Sequence, residues 1–184
     1  MTGQQIYTEV MYGQTMTMTG LLGEIEKSAV FSPCKAYRYK LARKWGDGYR
    51  FCNFLMVNPS TADELVNDPT VERCERRAIR MGFDGLAVTN LFALRSTDPA
   101  ALYSANDPIG PENDAAIVSV ARASEMVICA WGNYGALRGR SAAVIELLRE
   151  CAPGKAHYLR MAKTGMPCHP LYLSYELQPQ PWAA

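Results

Sequence analysis

Three short apolar runs, separated by helix-like segments, limit the folds open to this chain more than any other feature. They span residues 51–57, 85–92 and 125–131. An apolar run without polar alternation is the pattern of a strand covered on both faces, as in a parallel sheet lined with helices. After the first run, Asp68-Pro69 opens a helix, with Asp as N-cap and Pro in the first turn. Val71, Cys74, Ala78 and Met81 then recur at helical spacing, and Gly82 ends it. Residues 111–123, entered through Gly110-Pro111, form the next helix. Residues 141–151 form another, with Val144, Ile145, Leu148 and Cys151 inward and Pro153-Gly154 closing it. Residues 156–159 make a short further strand. This alternation predicts an α/β fold, a three-layer α/β/α sandwich around a mostly parallel central sheet.

Upstream, residues 36–44 and 49–57 read as two strands joined by the tight turn Trp45-Gly46-Asp47-Gly48, an N-terminal β-hairpin. Residues 1–20, rich in Thr, Gln, Gly and Met, show no periodicity and read as a loosely docked arm. Residues 21–30 fit a short helix or an edge strand equally well. The expected organisation is a partly ordered arm over 1–35, a single α/β domain over 36–177 and an irregular Pro-rich tail over 178–184. At 184 residues the chain is long enough to bury a full core without staples.

A net charge of +1 does not exclude a nucleic-acid partner, because a local basic patch matters more than the sum. The six cysteines contain no C-x-x-C pair, which argues against a zinc ribbon or a cysteine-ligated cluster. Neither metal nor cofactor is expected. Apolar runs are too short to span a bilayer and no secretory signal is visible, so a cytoplasmic monomer without a membrane partner is the expectation.

In open α/β sheets, ligands bind beyond the carboxyl ends of the strands. Four segments belong there: Val57-Asn58-Pro59-Ser60, Thr89-Asn90-Leu91, Ala130-Trp131-Gly132-Asn133 and Cys168-His169-Pro170-Leu171. Asn58 is held extended by Pro59 and can position a water through its amide oxygen, or can merely end a strand in an Asx-type turn. Asp63 and Asp68 are spare carboxylates suited to a general base. Asn90 offers a donor and an acceptor side by side, which suits the edge of a base or the backbone of a loop. Trp131 suits packing or stacking. His169 can stabilise charge developing on a leaving group, or serve structurally in a Pro-rich loop. Leu171 and Tyr172 can wedge into the space left by an extruded base. Arg95, Arg138, Arg140 and Lys163 are candidate phosphate contacts. Arg73, Arg76, Arg77 and Arg80 share one helix face and read as solvated partners of Glu72 and Glu75.

The ordered set resembles the uracil-DNA glycosylase superfamily over residues 51–174. The stretch from Thr89 to Thr97 is most similar to the mismatch-specific thymine/uracil branch. The resemblance implies that Asn58 positions the attacking water, Asn90 reads the base and His169 stabilises the leaving base; Pro59 and Trp131 are further candidate base-binding residues. It also implies a strand order of 2-1-3-4, which leaves no free edge on the first strand for a hairpin partner. The pairing is then displaced, or the order differs. Met56 stands where glycosylases carry glycine, and the Ser-Pro expected after His169-Pro170 is Leu171-Tyr172. A closer resemblance is to an uncharacterised bacterial and phage family whose hallmark is Asn-Pro-Ser-Thr-Ala-Asp, here residues 58–63. The leading expectation is a DNA glycosylase acting on an unusual, damaged or modified base. The alternatives are an enzyme acting on a free nucleotide or nucleoside or in phage-type base modification, and a non-catalytic module recognising modified bases or DNA.

Overall fold

The computed structural model of the protein describes residues 14–20, 23–63 and 65–182. The expectation for residues 1–13 lies outside them. Eight strands form one sheet: β1 (Gln14–Gly20), β2 (Gly23–Phe31), β3 (Arg38–Lys44), β4 (Phe51–Met56), β5 (Gly85–Asn90), β6 (Met126–Cys129), β7 (Ala156–Tyr158) and β8 (Gln180–Pro181), in the order β1-β2-β3-β5-β4-β6-β7-β8. The helices are α1 (Pro69–Arg80), α2 (Ala101–Ser104), α3 (Asn113–Ala123) and α4 (Arg140–Cys151). Residues 23–31, whose sequence fits helix and edge strand equally well, are a strand.

The sheet is mixed, which corrects the expected mostly parallel one. Only β5–β4, β4–β6 and β6–β7 pair in parallel; β1–β2, β2–β3, β3–β5 and β7–β8 are antiparallel. The cause is the kind of connection. Helical crossovers return the chain in the same direction, whereas the short connections before them, and the long segment between β7 and β8 that makes no such crossover, reverse it.

Strands β3 and β4 form where expected but are not neighbours, so the hairpin is also corrected. Both edges of β4 are taken by parallel partners, and β3 pairs with the far edge of β5. The Trp45–Gly48 turn therefore arches over the start of β5. Trp45 and Gly46 N–H both donate to the Asp84 carbonyl, and the Asp84 carboxylate accepts from Arg50 N–H. A Cβ at Gly46 or Gly48 would overlap the Asp84 side chain, so the glycines are needed for this arch.

Residues alternate strictly across the inner strands. Cys52, Phe54, Met56, Leu86 and Val88 face α1, where Val71, Cys74 and Ala78 complete one core. Leu55, Val57, Val127 and Cys129 face the other side, against Ile117 and Ala121 of α3 and Val144 and Leu148 of α4. Asp68 caps α1 through a bond from Val71 N–H, and Gly82, at φ +78°, turns the chain after it. The tail, expected to be irregular, adds the two-residue strand β8. The ring of Trp182 pins it against Trp131 and Tyr158, at centroid distances of 5.6 and 6.4 Å.

One irregularity in β3 reverses the direction of a charged side chain. Val30 pairs with Lys40 and Phe31 with Arg38, so Tyr39 is an extra residue in β3, a bulge. Tyr39 joins Ala93 and Ala116, and Lys40 reaches Ser119 of α3, so both lie on the α3 side. Arg38 is thereby turned to the opposite face, toward α1.

Gly85 lies opposite Phe51 in the β4–β5 pairing, and a Cβ there would sit 2.4 Å from the Phe51 ring. Gly85→Ala is expected to destabilise the fold by about 1–3 kcal/mol through overpacking. Urea denaturation checks it; a loss below about 0.5 kcal/mol, the scale of a neutral surface change, would contradict this packing.

Candidate functional site

Strand β4 lies between β5 and β6, so the chain leaves it on one side and later returns on the other. Such a switch point opens a crevice beyond the strand ends. A cavity of about 370 Å³ lies there. Its walls come from the β4 exit (Met56, Val57, Asn58, Ser60), the start of α1 (Asp68, Thr70, Val71) and the loop after β5 (Ser96, Thr97, Pro99). The segment His169, Leu171 and Tyr172 and the first residue of β3, Arg38, complete them. The volume falls in the range of small-molecule sites, about 300–1,000 Å³.

Asn58 has its amide nitrogen fixed. Nδ2 donates to the Pro59 carbonyl at 3.1 Å and to the Ser96 carbonyl at 2.9 Å. What the side chain has left to offer is its Oδ1 acceptor. Asp68 Oδ1 accepts from Val71 N–H at 2.9 Å, which leaves Oδ2 as the available carboxylate oxygen. Of the two carboxylates expected to serve, Asp68 lines the cavity. Asp63 does not: its Oδ1 accepts from Leu65 and Val66 N–H, closing a turn, and these bonds hold its pKa down although burial pushes it up.

His169, half-buried, lines the same cavity. Its Nδ1 accepts from Leu171 N–H at 3.4 Å, so the neutral ring carries its proton on Nε2. Burial lowers its pKa, and the Asp68 carboxylate opposes that only in part. The neutral imidazole is therefore a donor near pH 7. The α1 arginines hold this segment in place. Arg73 donates to the Pro170 and Leu173 carbonyls, Arg77 to those of Leu173, Ser174 and Leu177, and Arg73, Arg77 and Arg80 all stack on the Tyr175 ring. Of the four arginines read as solvated, only Arg76 pairs with Glu72 on the surface as expected.

Other expected site residues lie elsewhere. Strand β5 continues past β4, with Leu91 N–H bonded to Met56 O and Phe92 N–H to Val57 O, so Asn90 is still inside the sheet. It is buried, lines no wall of this cavity, and both its amide atoms lack partners. Pro59 is buried behind the wall, its carbonyl accepting from Ser96 N–H. Trp131 is core, packed on Trp182. The glycine turn after it supports the His169 loop from behind, through Gly132 N–H to the Pro167 carbonyl.

The three arginines expected to contact phosphate are bonded within the protein. Arg138 donates to the Ala105 and Asn106 carbonyls, and Arg140, buried, to the Leu91 carbonyl and the Asp114 carboxylate. Arg95 donates to the Lys35 carbonyl and stacks on Phe31. Lys163 is exposed on its loop, outside the cavity wall. Leu171 and Tyr172 do stand at the cavity, Tyr172 87% exposed.

The sequence reading missed Arg38. It alternates with Tyr39 and Leu41 as a solvent-facing residue would, and only the bulge turns it inward. Among the described residues, no group of three or more His, Cys, Asp or Glu is placed to hold a metal ion, and no helix is long and apolar enough to cross a membrane.

Residues 38–171 match a family described as a protein of unknown function, DUF1643. The match begins at Arg38 and ends at Leu171, so it spans every residue lining the cavity except Tyr172. No curated protein and no solved structure matches the chain.

Because the folded His169 titrates below its ordinary value of about 6.5, the unfolded chain takes up the proton first. Its contribution to stability is complete above pH of about 6.5 and is lost as pH falls through the depressed value. An NMR titration of its ring should show a midpoint below about 6.5, and His169→Asn should flatten the acid limb of the stability curve. A midpoint at or above the ordinary value would contradict a buried neutral ring.

Proposed function

The chain belongs to the DUF1643 family, and from the cavity spanned by that match we propose that it is a hydrolase of the N-glycosidic bond in a nucleoside or nucleotide. The observation that carries the reading is the meeting of Asn58, Asp68 and His169 in one cavity. The three bring an amide acceptor, a carboxylate oxygen and a neutral imidazole donor to that cavity.

Asn58 Oδ1 and Asp68 Oδ2 hold a water between them. Its oxygen bonds to the sugar C1′ as the C1′–N bond breaks, and the electron pair of that bond leaves with the base. Asp68 takes the proton lost by the water, and the departing base, or solvent in exchange with it, recovers that proton. His169 Nε2–H donates to the base where negative charge collects. The walls hold substrate and water together, which is the larger part of what such a site can contribute.

The likeness to uracil-DNA glycosylases supports this chemistry. The parallel strands β5-β4-β6-β7 run in the 2-1-3-4 order implied by that resemblance, with β3 displaced to the far edge. A small substrate is favoured over duplex DNA because Arg138 is held by backbone carbonyls and Arg140 by a carbonyl and the Asp114 carboxylate. One observation favours the DNA reading as a second choice: Tyr172 stands 87% exposed on the rim, where an aromatic wedge would enter a base stack.

Mass spectrometry of bases released from nucleosides, nucleotides and oligonucleotides bearing modified bases checks both. Asn58→Ala, Asp68→Asn and His169→Ala are each expected to lower kcat/KM by about 100-fold or more. Release that survives all three substitutions, or no release from any substrate, would overturn the reading. Release only from oligonucleotides, lost on Tyr172→Ala, would select the second.

A further inference from the structure

Arg38 is a buried cation facing a cavity, with no counter-ion among the described residues. It is 2% exposed, yet its guanidinium donates from Nη1 to the Ala62 carbonyl, and its enclosed Nε–H has no partner. The other buried arginines are better supplied. Arg43 donates to the Ala42 and Asp63 carbonyls and to Asn67, Arg77 to three carbonyls, and Arg140 to a carbonyl and a carboxylate. No ion pair among the described residues includes Arg38. Asp68 and Asp63 act on it from a distance, and Arg43 and Arg95 oppose them. A charge removed from water with so little in return is destabilising by several kcal/mol. Such a residue is retained where a ligand supplies what the protein does not.

The neighbouring groups define that ligand. Ser60, Thr70 and Thr97 bring hydroxyls to the same cavity, while the Ser96 hydroxyl is spent on the Asp98 carbonyl. Helix α1 starts there too. Pro69 has no N–H, Val71 N–H is taken by Asp68 Oδ1 and Glu72 N–H by the Asp68 carbonyl, so Thr70 N–H is the donor left at the helix start. A guanidinium, several hydroxyls and a helix-start N–H exceed what a planar carboxylate can accept; a tetrahedral phosphate has oxygens for all of them.

We propose that Arg38, with these hydroxyls, binds the phosphate of a nucleoside monophosphate, which makes the monophosphate rather than the free nucleoside the substrate of the site. The nucleoside part of this assignment rests on the N-glycosidic reading; the phosphate part rests on Arg38 and the donors beside it.

The test uses the full chain, with inorganic phosphate, a panel of nucleoside 5′-monophosphates and the matching nucleosides as probes. Thermal unfolding at matched ionic strength, with chloride as the reference, is read beside titration calorimetry. In the wild type, phosphate is expected to raise Tm saturably, and monophosphates to bind about tenfold or more tighter than nucleosides. In Arg38→Gln that preference is expected to vanish. The unliganded Tm should stay level or rise, because an uncompensated buried charge has been removed. A purely structural arginine would instead lower Tm and leave the preference intact, and that result overturns the proposal. If Arg38→Gln does not fold, the wild-type comparison decides: no phosphate effect beyond chloride overturns it. Phosphate binding without base release from any substrate would remove the N-glycosidic reading and leave the phosphate site standing. Base release from nucleosides as fast as from monophosphates would do the reverse.

Discussion

The position of β4 between two parallel partners is the constraint on which the rest of the molecule depends. With β5 on one edge and β6 on the other, β4 cannot accept β3, so the N-terminal strands must attach beyond β5. That displacement carries Arg38 to the same end of the sheet as the β4 exit, although the two lie on different sides of a reversing turn. It also sends the β4–α1 and β6–α4 connections to opposite sides, which leaves a space above β4 that no helix fills. The cavity is the consequence of that order. The residues lining it come from five separate stretches of chain that share no local sequence relation.

Electrostatics and rigidity divide the work at this site between two faces of the same structure. Three α1 arginines, Arg73, Arg77 and Arg80, are used to fasten the segment after His169, through backbone carbonyls and the Tyr175 ring. Their effect is positional: His169 is held with Nδ1 against Leu171 N–H and Nε2 free to donate. Arg38 is the opposite case. A bulge at Tyr39 aims it at the cavity, and the surrounding groups leave its charge largely unmet. Bulges are found near active sites because they re-aim one side chain at little disturbance to the ladder. The bulge in β3 has that effect here.

The parts of this fold that are legible in the sequence are those written in local pattern. Apolar runs mark β4, β5 and β6; the Asp68-Pro69 pair and Gly82 bracket α1; Asn58 stands at a strand exit, and it and His169 do reach one cavity. Pairing across the sheet is not local, and there sequence and structure part. The Trp45–Gly48 turn carries every mark of a hairpin, but its glycines serve a close approach to Asp84. Asn90 sits at the end of an apolar run, but two further backbone bonds keep it inside the sheet. Asp63 and Asp68 look alike in sequence, and only the turn bonds of one and the cavity position of the other separate them. Arg38 leaves no trace at all, because one extra residue in β3 decides which way it faces.

The most direct test is a crystal structure of the protein grown with a nucleoside monophosphate. The phosphate is expected within hydrogen-bond distance of the Arg38 guanidinium and of the Ser and Thr hydroxyls beside it, and the base toward His169. The sugar C1′ should lie near Asn58 and Asp68. A ligand bound elsewhere, or one whose phosphate points to solvent while Arg38 keeps only the Ala62 carbonyl, would contradict a phosphate-binding N-glycosidic site.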